Sequence, residues 1–233
     1  ILVQRNQRGA PRFADAANGG EGGGARVSET ANVNSPEYWN SRYVADQVGW
    51  DMGKPTPVFV DLLEGKPHWG KRFEPGKTLV LGCGRGHDAV LFAQHGFDVA
   101  AIDFSSEAVR DARQLAREKK VRIEFVEEDL FDYSLGLADE FDYVVEYVTY
   151  CAIEPARRAE FAIAVASMLK TGGEFIALFF PLDDRSGGPP FAVSMDEVQR
   201  LFGKKFELIS VEAPLHSVTS RKGKELLTVW RKQ

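Results

Sequence analysis

From Gly76 onward, apolar and polar positions alternate between two regular patterns. Leu79-Val80-Leu81, Val99-Ala100-Ala101-Ile102 and the stretches 78–82, 98–103, 122–126, 141–148 and 174–180 form short apolar or β-branched runs, as strands buried on both faces do. Between them, 86–95, 105–119 and 156–169 place apolar residues at helical spacing. In the second of these, Ser105 or Ser106 can cap the helix and Glu107 lies in its first turn, where a negative charge suits the dipole. Strands alternating with helices predict an α/β fold whose parallel strands are joined by right-handed crossovers. After the loop DDRSGGPP the pattern gives a short helix over 194–202. Strands over 205–212 and 224–231 follow, close enough in sequence for an antiparallel hairpin on the sheet edge.

The segment before Gly76 reads differently. Residues 1–30 hold six of the 22 glycines and no apolar periodicity, so they are expected to be disordered, leaving one domain over 31–233. The chain opens on Ile1, as a fragment or processed precursor would. Arg5, Arg8 and Arg12 weakly resemble an organelle-targeting segment, although Asp15, Glu21 and Glu29 follow. From Ser35 the chain becomes dense in aromatics. Ser35 can cap a helix with Pro36 at its first position, and Tyr38, Trp39, Arg42 and Tyr43 recur at helical spacing. Residues 35–65 are therefore expected to form a helical lid over whatever the glycine turn holds.

That turn is GCGRG, with Gly82, Gly84 and Gly86 directly after the first strand and directly before a helix. Glycines there let the backbone turn sharply and approach a ligand, while the helix aims free N–H groups into the turn. The second strand ends in Asp103, 19 residues beyond Gly84, where a carboxylate can accept hydrogen bonds from both ribose hydroxyls. A dinucleotide fold usually has GxGxxG, and here the third glycine comes one residue early. The pattern resembles instead the first motif of the class I methyltransferases, which implies S-adenosyl-L-methionine held by a Rossmann-like fold.

In an open α/β sheet the ligand lies beyond the carboxyl ends of the strands. Candidates there are Asp103 and Phe104, Asp129 and Leu130, Glu146 to Cys151, and Phe180 with Pro181. Asp129 and Leu130 can flank an adenine, although a turn or helix cap explains Asp129 equally well. Tyr147, Tyr150, Cys151 and Phe180 are expected to surround the methyl acceptor, and Glu146 to stand on the cofactor side. His68, His87, His95 and His216 are scattered, and no Ser-His-Asp arrangement or metal-ligand spacing occurs. The expected chemistry is positioning without a protein base.

Composition narrows the partners. A net charge of -5 argues against a nucleic-acid binder, and no apolar run approaches the length of a membrane span. The cluster Arg221-Lys222-Gly223-Lys224 reads as a solvated hairpin turn. Two cysteines, Cys83 and Cys151, make no disulfide framework, as in a protein of a reducing compartment such as the cytoplasm. A monomer or weak dimer is expected.

The blocks WDMGKPTP (50–57), GCGRGHD (82–88), YCAIEP (150–155), GGPPF (187–191) and RKGKE (221–225) together resemble the halide/thiol methyltransferases of the thiopurine S-methyltransferase superfamily. The resemblance covers about residues 35–232. It implies a class I methyltransferase with a seven-stranded, mostly parallel sheet, an antiparallel last strand and helices on both faces. The reaction it implies is S-adenosylmethionine-dependent methylation of halide, bisulfide, thiocyanate or organic thiols. It matches Trp39 and Trp50 to pocket tryptophans, Gly82, Gly84 and Asp103 to the cofactor loop and ribose acid, Asp129 and Leu130 to the adenine side, and Tyr147 and Cys151 to the acceptor pocket. Tyr43, Thr149-Tyr150 and Phe180 depart from the plant members, and all fall on the acceptor side. A thiopurine-like or other S-, O- or N-methyltransferase remains open, as does a non-catalytic protein that keeps the cofactor fold.

Overall fold

A computed structural model describes residues 32–65 and 73–233. The expectation of disorder for 1–30, and His68, lie outside the described residues. The elements run α1 (Pro36–Val44), α2 (Pro57–Leu63), β1 (Lys77–Leu81), α3 (His87–Gln94), β2 (Asp98–Asp103), α4 (Ser106–Lys119), β3 (Glu124–Glu127), α5 (Leu130–Leu135), β4 (Phe141–Tyr147), α6 (Arg158–Met168), β5 (Leu169–Phe179), α7 (Met195–Phe202), β6 (Phe206–Glu212) and β7 (Leu226–Lys232).

They build one seven-stranded sheet in the order β3-β2-β1-β4-β5-β7-β6. β1 pairs in parallel with β2 and β4, β2 with β3, and β4 with β5, whereas β7 runs antiparallel to both β5 and β6. The reversal of order at β1 and β4 opens the crevice in which such sheets bind ligands. β6 and β7 do pair as a hairpin, but β7 inserts between β5 and β6, so β6 alone forms that edge.

Alternation along the strands feeds two cores. Leu79, Leu81, Ala100, Ile102 and Val144 pack with Phe161 and Val165 of α6 and Phe202 of α7 on one face. Val80, Val99, Ala101 and Val145 pack with Phe59 of α2 and Phe92 of α3 on the other. Both faces are covered, which is why the strands read as continuous apolar runs.

Local signals placed most helices correctly. Ser105 caps α4 by accepting from the Ala108 amide at 3.2 Å. Ser35 precedes α1 as expected, yet its hydroxyl bonds the Glu37 carboxylate instead of a backbone amide. α5 has no counterpart among the predicted elements, its six residues being too few for a periodic pattern, whereas α2 falls within the helical segment expected over 35–65. The helix expected over 156–169 begins as a single tight turn at Pro155–Arg157 and runs straight into β5, which starts at Leu169 rather than 174 and leaves Phe180 just past its end.

Candidate active site

The strand-turn-helix of β1 and α3 builds the floor of the crevice. Gly82, Gly84 and Gly86 all have positive φ, at 51°, 53° and 79°. Their packing roles differ. A side chain on Gly82 would stand 2.3 Å from Thr149 Oγ1, so the turn can lie against Thr149 only with glycine there. A Cβ on Gly86 would lie 2.9 Å from Ala112 of α4, which makes Gly86 a helix-packing position rather than part of the cavity wall. Asp103 organises the turn: Oδ2 accepts from the Gly84 amide and Oδ1 from the Ser105 amide, both at 2.9 Å. Burial pushes its carboxyl upward, against the lowering effect of these amides.

Residues 38–50 cover the crevice, whereas α2 joins the core. Trp50 makes edge-on contacts with Trp39 and Tyr43, with centroids 5.2 and 5.7 Å apart. Polar ties fasten this stretch and the residues that follow it. Arg85, inside the glycine turn, reaches Asp46 at 3.1 Å and Asp51 at 3.0 Å, and also Asp111 of α4 at 3.3 Å. Asn40 Oδ1 accepts from Ser105 Oγ at 2.6 Å. The Thr56 amide and hydroxyl donate to Asp88 at 2.7 and 2.8 Å, and burial pushes Asp88 up to about 6.

Between lid and sheet lies a cavity of about 570 Å³, within the size range of small-molecule sites. Trp39, Tyr43, Trp50, Gly82, Asp103, Phe104, Asp129 and Leu130 line one part of it. Asp129 lies on the wall, and its Oδ1 caps α5 by accepting from the Phe131 amide at 2.8 Å, as its reading as a helix cap expects. Arg157 closes that end, 4.0 Å from Asp129 and with its guanidinium 3.7 Å from the Phe131 ring centre.

Cys151, Phe180, Arg185, Pro189 and Arg221 line the other part. Arg185 is neutralised by a two-pronged pair with Asp183, both bonds 2.7 Å. Arg221 differs. It is 7% exposed, and it donates to Tyr147 Oη at 2.5 Å and to the Trp50 carbonyl at 2.7 Å. Among the described residues no carboxylate forms an ion pair with it; Glu225 reaches it only through the Tyr147 hydroxyl, which donates to Glu225. Reading 221–224 as a solvated turn therefore fails at Arg221, whose side chain is buried.

Other expected positions move as well. Tyr147 and Gly84 line a smaller cavity of about 80 Å³ behind the glycine turn instead of the main one. Tyr150 is not on the wall of either cavity. It is 1% exposed, with ring centres of Phe179 and Phe161 at 5.2 and 5.5 Å, and belongs to the core under α6 and α7. Glu146 is also withdrawn, at 1% exposure behind the turn that follows β4. Burial pushes its carboxyl from 4.5 up to about 7. The folded state therefore holds this proton more tightly than the unfolded chain, and its contribution to stability is lost as pH rises through that window. Glu146→Gln should gain on the parent protein by about 3 kcal/mol between about pH 4.5 and 7. Urea unfolding at both ends checks this, and a pH-independent difference would contradict it.

A profile of the thiopurine S-methyltransferase family matches residues 34–231. The chain belongs to this family. A probable thiol methyltransferase 2 of Arabidopsis thaliana is 38% identical over 202 residues, covering 85% of this chain and 86% of that protein. Thiocyanate methyltransferase 1 of the same plant is 34% identical over 197 residues, covering 83% and 84%. Among solved structures, one described for the conversion of a disulfide bond into a thioacetal group in echinomycin biosynthesis superposes with a TM-score of 0.70 at 22% identity, over 85% of this chain and 93% of that one. The 1,6-didemethyltoxoflavin-N1-methyltransferase of Burkholderia thailandensis gives 0.60 at 19% identity, over 85% and 87%. Both share the class I methyltransferase fold.

This family member is an S-adenosylmethionine-dependent methyltransferase. Its cavity fits that cofactor. Asp103 offers a carboxylate beside a wall that carries no side chain at Gly82, Asp129 and Leu130 offer an acceptor and an apolar face, and the tryptophans roof the space.

Proposed function

We propose that the protein methylates a small soft nucleophile that enters as an anion, with thiocyanate, bisulfide, halides and small thiolates as the acceptor class. The observation that carries this reading is Arg221, a buried guanidinium on the cavity wall with no carboxylate of its own. Glu225 reaches this buried cation only through the Tyr147 hydroxyl, so an anionic ligand beside it supplies the direct partner that the protein does not. The names of the plant relatives, thiol and thiocyanate methyltransferase, support the same class.

When bound, the cofactor supplies an activated methyl group on a sulfonium. The protein's own part is to bind, orient and keep water out. In this reading Asp103 accepts from the ribose hydroxyls, Asp129 and Leu130 hold the adenine, and Trp39 and Trp50 shut out solvent; all five line the cavity. Alignment of two reactants in a dry site is worth roughly 7–11 kcal/mol of barrier. Arg221 attracts the anion, while Phe180 and Pro189 limit its size. Burial pushes the Cys151 thiol well up, and its Sγ–H donates to the Val148 carbonyl at 3.2 Å, so it stays neutral and does not compete as a nucleophile. Among the described residues no histidine lines the main cavity; His87 is on the smaller one, where burial lowers it. In this reading the acceptor arrives already ionised. The two free cysteines suit a reducing compartment such as the cytoplasm.

A turnover assay with radiolabelled cofactor against thiocyanate, bisulfide, iodide and a thiopurine tests the reading. Turnover should be greatest with the small anions. Preference for the thiopurine by kcat/KM would overturn it in favour of a larger heterocyclic acceptor.

A further inference from the structure

The chain turns sharply after β4 at a residue poorly suited to do so. Val148 has φ +60°, in the left-handed region where a β-branched side chain is crowded by its own backbone. Neither neighbour, Tyr147 or Thr149, is a residue that favours such a turn. Something outside the turn must hold it.

The amides of Thr149 and Tyr150, which follow Val148, both point at one oxygen of Glu146 and donate to Oε2 at 3.1 Å each. Successive amides around a left-handed residue form a small concavity that binds anions. Here the acceptor in that concavity is a carboxyl oxygen of the chain itself.

Two features of the site depend on this turn. It delivers the Thr149 hydroxyl to the Leu81 carbonyl at 3.0 Å, where it fills the space left by the missing side chain of Gly82. It also makes Val148 part of the wall of both cavities, next to Cys151, whose thiol bonds the Val148 carbonyl.

We propose that Glu146 is a positioning residue for the cofactor site: by accepting from the Thr149 and Tyr150 amides it holds Val148 left-handed, and so seats Thr149 beneath the glycine turn. It touches neither cavity and acts only through the turn.

Three full-length variants test this by calorimetric affinity for S-adenosylhomocysteine. Glu146→Gln keeps an acceptor oxygen and should bind within about threefold of the parent. Glu146→Leu removes it and should weaken binding at least about tenfold, the equivalent of one buried hydrogen bond. Adding Val148→Gly, which adopts positive φ without help, should bring Glu146→Leu back to within about threefold. A purely structural role would lower the melting temperature without this recovery of affinity. The proposal is overturned if Glu146→Leu binds like the parent, or if Val148→Gly restores none of the loss. If Glu146→Leu alone does not fold, the double variant decides: folded and binding, it supports the proposal; unfolded or weak, it overturns it.

Discussion

Arg221→Met should raise the KM for thiocyanate by about 10- to 100-fold, the range expected when a charged hydrogen-bond donor is lost from a buried site. The substitution keeps an unbranched apolar stem, ends two bonds short of the terminal guanidinium nitrogens, and removes the charge and the fork of donors. The affinity for S-adenosylhomocysteine should change much less, because Arg221 lies at the Cys151 and Phe180 part of the cavity, away from Asp103 and Asp129. One secondary effect follows from its bond to the Trp50 carbonyl at 2.7 Å, which ties the lid. Arg221→Lys retains the charge and should fall between the two. An unchanged KM for thiocyanate in folded Arg221→Met would show that the buried cation does not serve the acceptor.

Asp103→Ala should weaken binding of S-adenosylhomocysteine by at least about 1.5–3 kcal/mol, the range for hydrogen bonds to a charged group. The structure adds a reason for the larger figure. The same carboxylate organises the Gly84 and Ser105 amides, so the variant loses the shape of the turn along with the ribose acceptor. Asp103→Asn keeps one acceptor oxygen and should lose less. Calorimetry on both variants checks this, and an Asp103→Ala affinity equal to the parent's would remove Asp103 from the cofactor site.

What could be read in the sequence follows the range of the interactions involved. The glycine turn and Asp103 were legible because strand, turn and helix follow one another without a gap and the acid closes the next strand, all within 25 residues, Leu79 to Asp103. The aromatic lid was legible from composition, and Trp39 and Trp50 do reach the cavity. The end of β4 was not. Extending the strand places Tyr150 near the acceptor and Glu146 on the cofactor side, but the left-handed Val148 redirects the chain after Tyr147, and no residue in the turn announces that conformation. Arg221 was hidden for a different reason. Its burial depends on Tyr147, 74 positions earlier, and on Trp50, 171 positions earlier, so a basic cluster beside a glycine gives no local sign of it. α5 escaped because six residues show less than two turns of periodicity.

The central claim, transfer to an acceptor that is already an anion and without a protein base, makes a direct demand on pH. Thiocyanate is ionised throughout the neutral range, whereas a thiol is not. Enzyme groups that titrate there, such as Asp88 near 6 and Glu146 near 7, act on both acceptors alike and cancel in a ratio. The measurement is kcat/KM for a thiol divided by kcat/KM for thiocyanate, across about pH 6 to 9, for two thiols of different acidity. The account predicts that each ratio rises with pH and levels off at that thiol's own pKa. Two ratios that level off at one common pKa, whatever the thiol, would reveal a protein group taking the proton and contradict it.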